Sequence, residues 1–137
     1  MLSRPYGLAA LARALLAARD EPAAALVAIS EAFEDMAATG QRQWEPELHR
    51  LQGMALLAQN DVDGSQRALE EALRIARGRQ MKMYELRAAT SLARLWGEAG
   101  RRAEARELLA PVYGWFTEGF DTADLTDAKA LLDDLQG

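Results

Sequence analysis

The 137-residue sequence has no cysteine, one histidine, four prolines and two lysines. Without cysteine there is no disulfide, no thiolate metal site and no thiol nucleophile. A single histidine excludes most multi-histidine metal centres. Val, Ile and Thr number ten in all, too few for a substantial β-sheet. No run of 18 apolar residues is present, so no membrane span is expected. The apolar stretch from Met1 to Ala18 contains Arg4, Pro5 and Arg13, which weighs against a secretory signal. A cytoplasmic location is the default expectation. Neither a GxxxxGK[ST] phosphate loop nor a GxGxxG fingerprint occurs.

What is abundant is Ala, at 28, and Leu, at 21. Both favour helix. Half of the residues are apolar and 27% are charged, the mark of a folded chain rather than a disordered one. The expectation is one all-α domain over residues 1–137.

The charge is uneven. From residue 118 onward, Glu118, Asp121, Asp124, Asp127, Asp133 and Asp134 face Lys129 alone, which accounts for the whole net charge of −5. Residues 64–106 hold ten basic groups against five acidic ones. A basic middle and an acidic end suit intramolecular pairing, and fit a nucleic-acid binder poorly. The group Arg67, Arg74, Arg77, Arg79, Lys82, Arg87 and Arg94 reads as a solvated helix surface, or as one attracting nucleic acid or an acidic peptide. Fourteen Arg against two Lys favours carboxylate recognition, because the guanidinium binds carboxylates bidentately.

A shift of 40 positions aligns the chain with itself. Ala25, Ser65 and Ala105 superpose, then Ile29, Leu69 and Leu109, then Ala32, Ala72 and Val112. Leu16, Leu56 and Trp96 follow the same shift, as do Trp44 and Tyr84. Steps of four and three residues place each small-large-small set on one helix face. Each unit (about 1–40, 41–80 and 81–120) reads as a helical hairpin. The first helices are expected near 5–19, 42–58 and 82–98, the second near 22–38, 62–78 and 102–117. Asp20 is expected to cap the helix opened by Pro22, and Asn60 or Asp61 the next. Gly40, Gly78 and Gly100 stand where positive φ is expected. Leu125, Ala128, Leu132 and Leu135 mark a capping helix near 122–136.

These sets resemble the small-large-small signature of the tetratricopeptide repeat (TPR) superfamily, in its longer forms. Gly53 matches the glycine of that family's first helix; Arg13 and Ala93 stand there in the other units, and the closing proline is missing. The resemblance implies a right-handed superhelix of three antiparallel hairpins plus a cap. A narrower likeness runs through Glu47–Leu51, Glu85–Trp96 and Tyr113–Thr122. These segments are similar to the C-terminal repeats of large proteobacterial proteins. Those proteins carry a class III adenylate/guanylate cyclase or DNA-binding domain, then an ATPase. The implied role is a regulatory or interaction tail.

No catalytic constellation stands out. Glu45 and His49 share a helical face, but no nucleophile, metal set or second base accompanies them. No enzyme activity, cofactor or metal is expected. The TPR likeness implies a groove lined by first helices, with Glu47, Arg50, Met54, Arg87, Thr90 and Arg94 as candidates and a protein or peptide as partner, an acidic one being favoured by the arginines. Homo-oligomerisation and nucleic-acid binding stay open as alternatives. Between Leu8 and Ala18 the one charge is Arg13, so helix one is expected to bury two sides. Its face Ala10, Ala14 and Ala17 would meet a missing upstream repeat or a second copy, giving a homodimer. Tyr113, Trp115, Phe116 and Phe120 are expected to seal the last hairpin against the cap. In that case Trp115→Ala costs about 3–5 kcal/mol; the alternative is a recognition platform.

Overall fold

The computed structural model describes residues 20–136. Those residues are all-helical, with no strand among them. Helix α1 is Pro22–Thr39, α2 Glu45–Ala58, α3 Val62–Gly78, α4 Lys82–Glu98, α5 Arg102–Gly114 and α6 Ala123–Gln136. The expected first helix, near 5–19, lies outside the described residues.

The boundaries follow from local chemistry. Three helices in succession end in the same motif. Asp61 donates its backbone N–H to Leu56 O and Asn60 to Leu57 O; Met81 and Gln80 do the same to Ala76 O and Arg77 O, and Arg101 and Gly100 to Trp96 O and Gly97 O. This paired satisfaction of the last carbonyls is the Schellman arrangement, which needs a left-handed residue after the helix. Asn60, Gln80 and Gly100 supply it at φ of 65°, 56° and 86°. Gly40 closes α1 at φ 74°. Left-handed residues therefore fall at 40, 60, 80 and 100, one for each 20-residue helix and turn.

Two expectations about turns are corrected. Gly78 is not at positive φ; it is the last residue of α3, and Gln80 takes the left-handed position. Asp20 is not the cap of α1. Pro22 occupies the first turn, so Glu21 is the N-cap and its O accepts the first helical N–H, from Ala25, at 2.9 Å. No side-chain bond completes that cap. Asp61 does cap α3, its Oδ1 accepting the Gly64 N–H at 2.9 Å.

Two other ends differ from the periodic reading. Helix α2 begins at Glu45 rather than 42, because Pro46 fits the first turn but would block a bond deeper in the helix. Helix α5 ends at Gly114 rather than 117. Pro111 lacks the N–H that would bond one turn back, and the following bonds, Trp115 N–H to Val112 O and Phe116 N–H to Tyr113 O, tighten by one residue.

By packing, the described residues divide into two compact units, one up to Ala72 and one from Leu73 onward, the division falling within α3. In the first, Ala25, Ile29, Ala32 and Met36 of α1 share a buried cluster with Leu48, Leu51 and Ala55 of α2. Gly53 of α2 lies against Leu69 and the Ser65 carbonyl of α3. In the second, α4 packs on α5, and α6 packs on both. Leu125, Ala128, Leu132 and Leu135 of α6 are buried. Gly97 of α4 leaves room for Leu135. All nine small-large-small positions, from Ala25 to Val112, are buried.

Candidate functional site

Three groove candidates of the first unit form one cluster on α2. Arg50 donates from Nε and Nη2 to the two oxygens of Glu47, at 2.9 and 2.7 Å, and from Nη1 to Met54 Sδ at 3.1 Å. Glu47 is buried beneath this fork. The planar guanidinium matches the carboxylate edge to edge, and the i,i+3 spacing brings the two side chains together.

In the second unit, Arg87 of α4 donates from Nε to Asp124 of α6 at 2.8 Å, its guanidinium 5.6 Å from the Tyr84 ring. Thr90 is buried and its hydroxyl donates to Leu86 O at 2.7 Å, so it offers a ligand no polar group. Arg94, one turn on, is exposed and makes no ion pair with a described residue. Of the candidates in this unit it is the accessible cation. Ala10, Ala14 and Ala17 lie outside the described residues.

The basic middle is largely engaged within the chain. Arg77 and Lys82 flank Glu85 at 3.2 and 3.5 Å. Arg102 and Arg106 of α5 donate to Asp134 O and Leu135 O, the last carbonyls of α6. Those carbonyls have no helical partner of their own. Arg101 clamps Glu104 through Nε and Nη2 at 3.0 and 2.8 Å and stacks 4.4 Å over the Trp96 ring. The clamp holds the Glu104 carboxyl below its usual range, through the hydrogen bond first and despite slight desolvation. Hydrogen bonds and charge likewise raise Arg42 beside Glu45 and Lys129 beside Asp133.

Sequence inspection missed one repeated feature. Glu45 and Glu85, 40 residues apart, are both buried at helix starts. Each pairs with a cation three residues earlier: Arg42 at 2.9 Å and Lys82 at 3.5 Å. The 40-residue alignment superposes both pairs and so carried the signal. His49 packs its ring 4.9 Å from Phe33. Among the described residues no cluster of His, Cys, Asp or Glu could hold a metal ion. None of the described helices is long and apolar enough to cross a membrane. No family model, curated protein or solved structure matches the chain.

The aromatic cluster departs most from expectation. Trp115 is 56% exposed and Phe120 46%; Tyr113 and Phe116 are half-buried. The cluster therefore does not seal the cap, and the expected 3–5 kcal/mol loss for Trp115→Ala, which holds for a buried ring, does not apply. The reason lies in the early end of α5. Past Gly114 the chain is a loop, and no helical face carries these rings inward. Trp44, Tyr84 and Trp96, which fall in the 40-residue register, are half-buried.

Proposed function

We propose that the chain is a non-catalytic, TPR-like helical-repeat module that binds a segment of another protein. On this reading it is the regulatory C-terminal repeat region of a signalling ATPase or nucleotide cyclase. The observation that carries the reading is the burial of all nine positions in the 40-residue register. A single small-large-small set buries in many helices. Three sets in one register, separated by turns of one kind, are the mark of stacked supersecondary units. The packing of α6 on both helices of the preceding hairpin fits the first helix of a further unit serving as a cap.

The approach of Gly53 to Leu69 supports the same reading, since a glycine there lets the two helices of a unit close. Recognition centres on Arg94 of the second unit. Because Arg50 and Arg87 are already paired with acids, a ligand carboxylate gains most at Arg94.

The test is selection of short random peptides on the whole chain. Acidic sequences should be enriched, and the enrichment should vanish against Arg94→Glu. The chain alone should turn over neither ATP nor GTP. Enrichment indifferent to position 94, or nucleotide turnover, contradicts the reading.

A further inference from the structure

We propose that the loop between α5 and α6 is a second docking surface, for an apolar peptide segment of another protein that carries arginine or lysine. This inference does not rest on the proposed groove, and its charge preference is the opposite one. Large exposed aromatic side chains are unfavourable in water, and a cluster of them rimmed by polar groups marks an interaction surface. Trp115 and Phe120 together expose two such rings. They are braced rather than loose: Trp115 meets Phe116 edge-on at 5.1 Å, and Phe120 meets Tyr113 at 5.8 Å. A turn closed by Thr122 N–H to Gly119 O at 2.9 Å, with Gly119 at φ 78°, shapes the loop. Rings already held in place lose little freedom on binding.

Charge selects the occupant. The charged residues of segment 113–122 are Glu118 and Asp121. Both are exposed, and neither forms an ion pair with a described residue. A cation arriving at the loop meets two available carboxylates in the segment that carries the exposed rings. The indole already carries a cation of the chain, Lys82 Nζ at 5.1 Å from the ring centroid and 3.5 Å from Glu85, so the loop carboxylates are what draw an incoming one. An acidic segment would meet repulsion instead.

The experiment selects short random peptides on the folded whole chain, in parallel with Trp115→Ala, with the pair Glu118→Lys and Asp121→Lys, and with Arg94→Glu. The proposal predicts a class of sequences joining arginine or lysine to aromatic or aliphatic residues. Binding of a peptide from that class should weaken by about tenfold or more in Trp115→Ala, as truncating a central tryptophan does. It should be lost in the charge-reversed pair and unchanged in Arg94→Glu. Since Trp115 is more than half exposed, the variant should keep the helical signal and melting temperature of the parent. No enrichment of such sequences on the folded chain, or binding indifferent to Trp115, overturns the proposal. So does self-association that Trp115→Ala abolishes, which would make a second copy the occupant.

Discussion

Gly53 of α2 and Leu69 of α3 approach so closely that a Cβ at position 53 would stand 2.8 Å from Leu69 Cγ and 3.2 Å from the Ser65 carbonyl. Alanine is ordinarily the better helix former by about 1 kcal/mol. Here overpacking outweighs that gain, since forcing a methyl into a closed interface costs roughly 1–3 kcal/mol. Gly53→Ala should therefore lower the melting temperature. Gly78→Ala should raise it, because nothing lies within 4 Å of a Cβ there. Thermal melts of the two variants should move in opposite directions.

Gln80 and Gly100 hold equivalent left-handed positions, at φ 56° and 86°. A side chain in that conformation is disfavoured by about 1–2 kcal/mol, part of which glycine returns through its greater unfolded-state freedom. Gln80→Gly should stabilise by about 0.5–1 kcal/mol, and Gly100→Ala should destabilise by about 1 kcal/mol. Urea denaturation with unchanged m-values checks both.

Ser65 is fully buried, and its hydroxyl has no hydrogen-bond partner among the described residues. Its register equivalents are Ala25 and Ala105. An unsatisfied buried hydroxyl costs about 1–3 kcal/mol. Ser65→Ala should raise stability by about 1 kcal/mol at the low end of that range, measured by the same denaturation. A loss would place a partner on the hydroxyl.

Glu104 titrates below the ordinary glutamate range because Arg101 hydrogen-bonds its charged form. A carboxyl depressed in the folded state contributes stability above its unfolded value, and that contribution is lost as pH falls through the folded one. Arg101→Met should move the Glu104 midpoint upward to the ordinary range, read by carbon NMR of the side-chain carboxyl. An unmoved midpoint contradicts the clamp.

Much of the fold was legible because the 40-residue shift fixes where helices must turn. The expected ends at 58, 78 and 98 are those of α2, α3 and α4. Asp20 and Gly78 misled for a shared reason: residue preference locates a turn, but the hydrogen bonds choose which neighbour adopts the special conformation. Trp115 and Phe120 misled because periodicity reports burial only while a helix continues. Beyond Gly114, hydrophobicity alone did not distinguish a core ring from a presented one. Long-range partnerships such as Arg87 with Asp124, or Arg106 with Leu135 O, have no local signature. Charge asymmetry between the basic middle and the acidic end hinted at them without naming the pairs.

The most direct test of the repeat account is to insert a second copy of residues 41–80 after Gln80. In a stacked array each unit contacts its neighbours, so an added unit extends the stack and adds a favourable interface. The account predicts a helical signal per residue equal to that of the parent and a single cooperative melt at the same or a higher temperature. A melt at lower temperature, or loss of the cooperative transition, would contradict it.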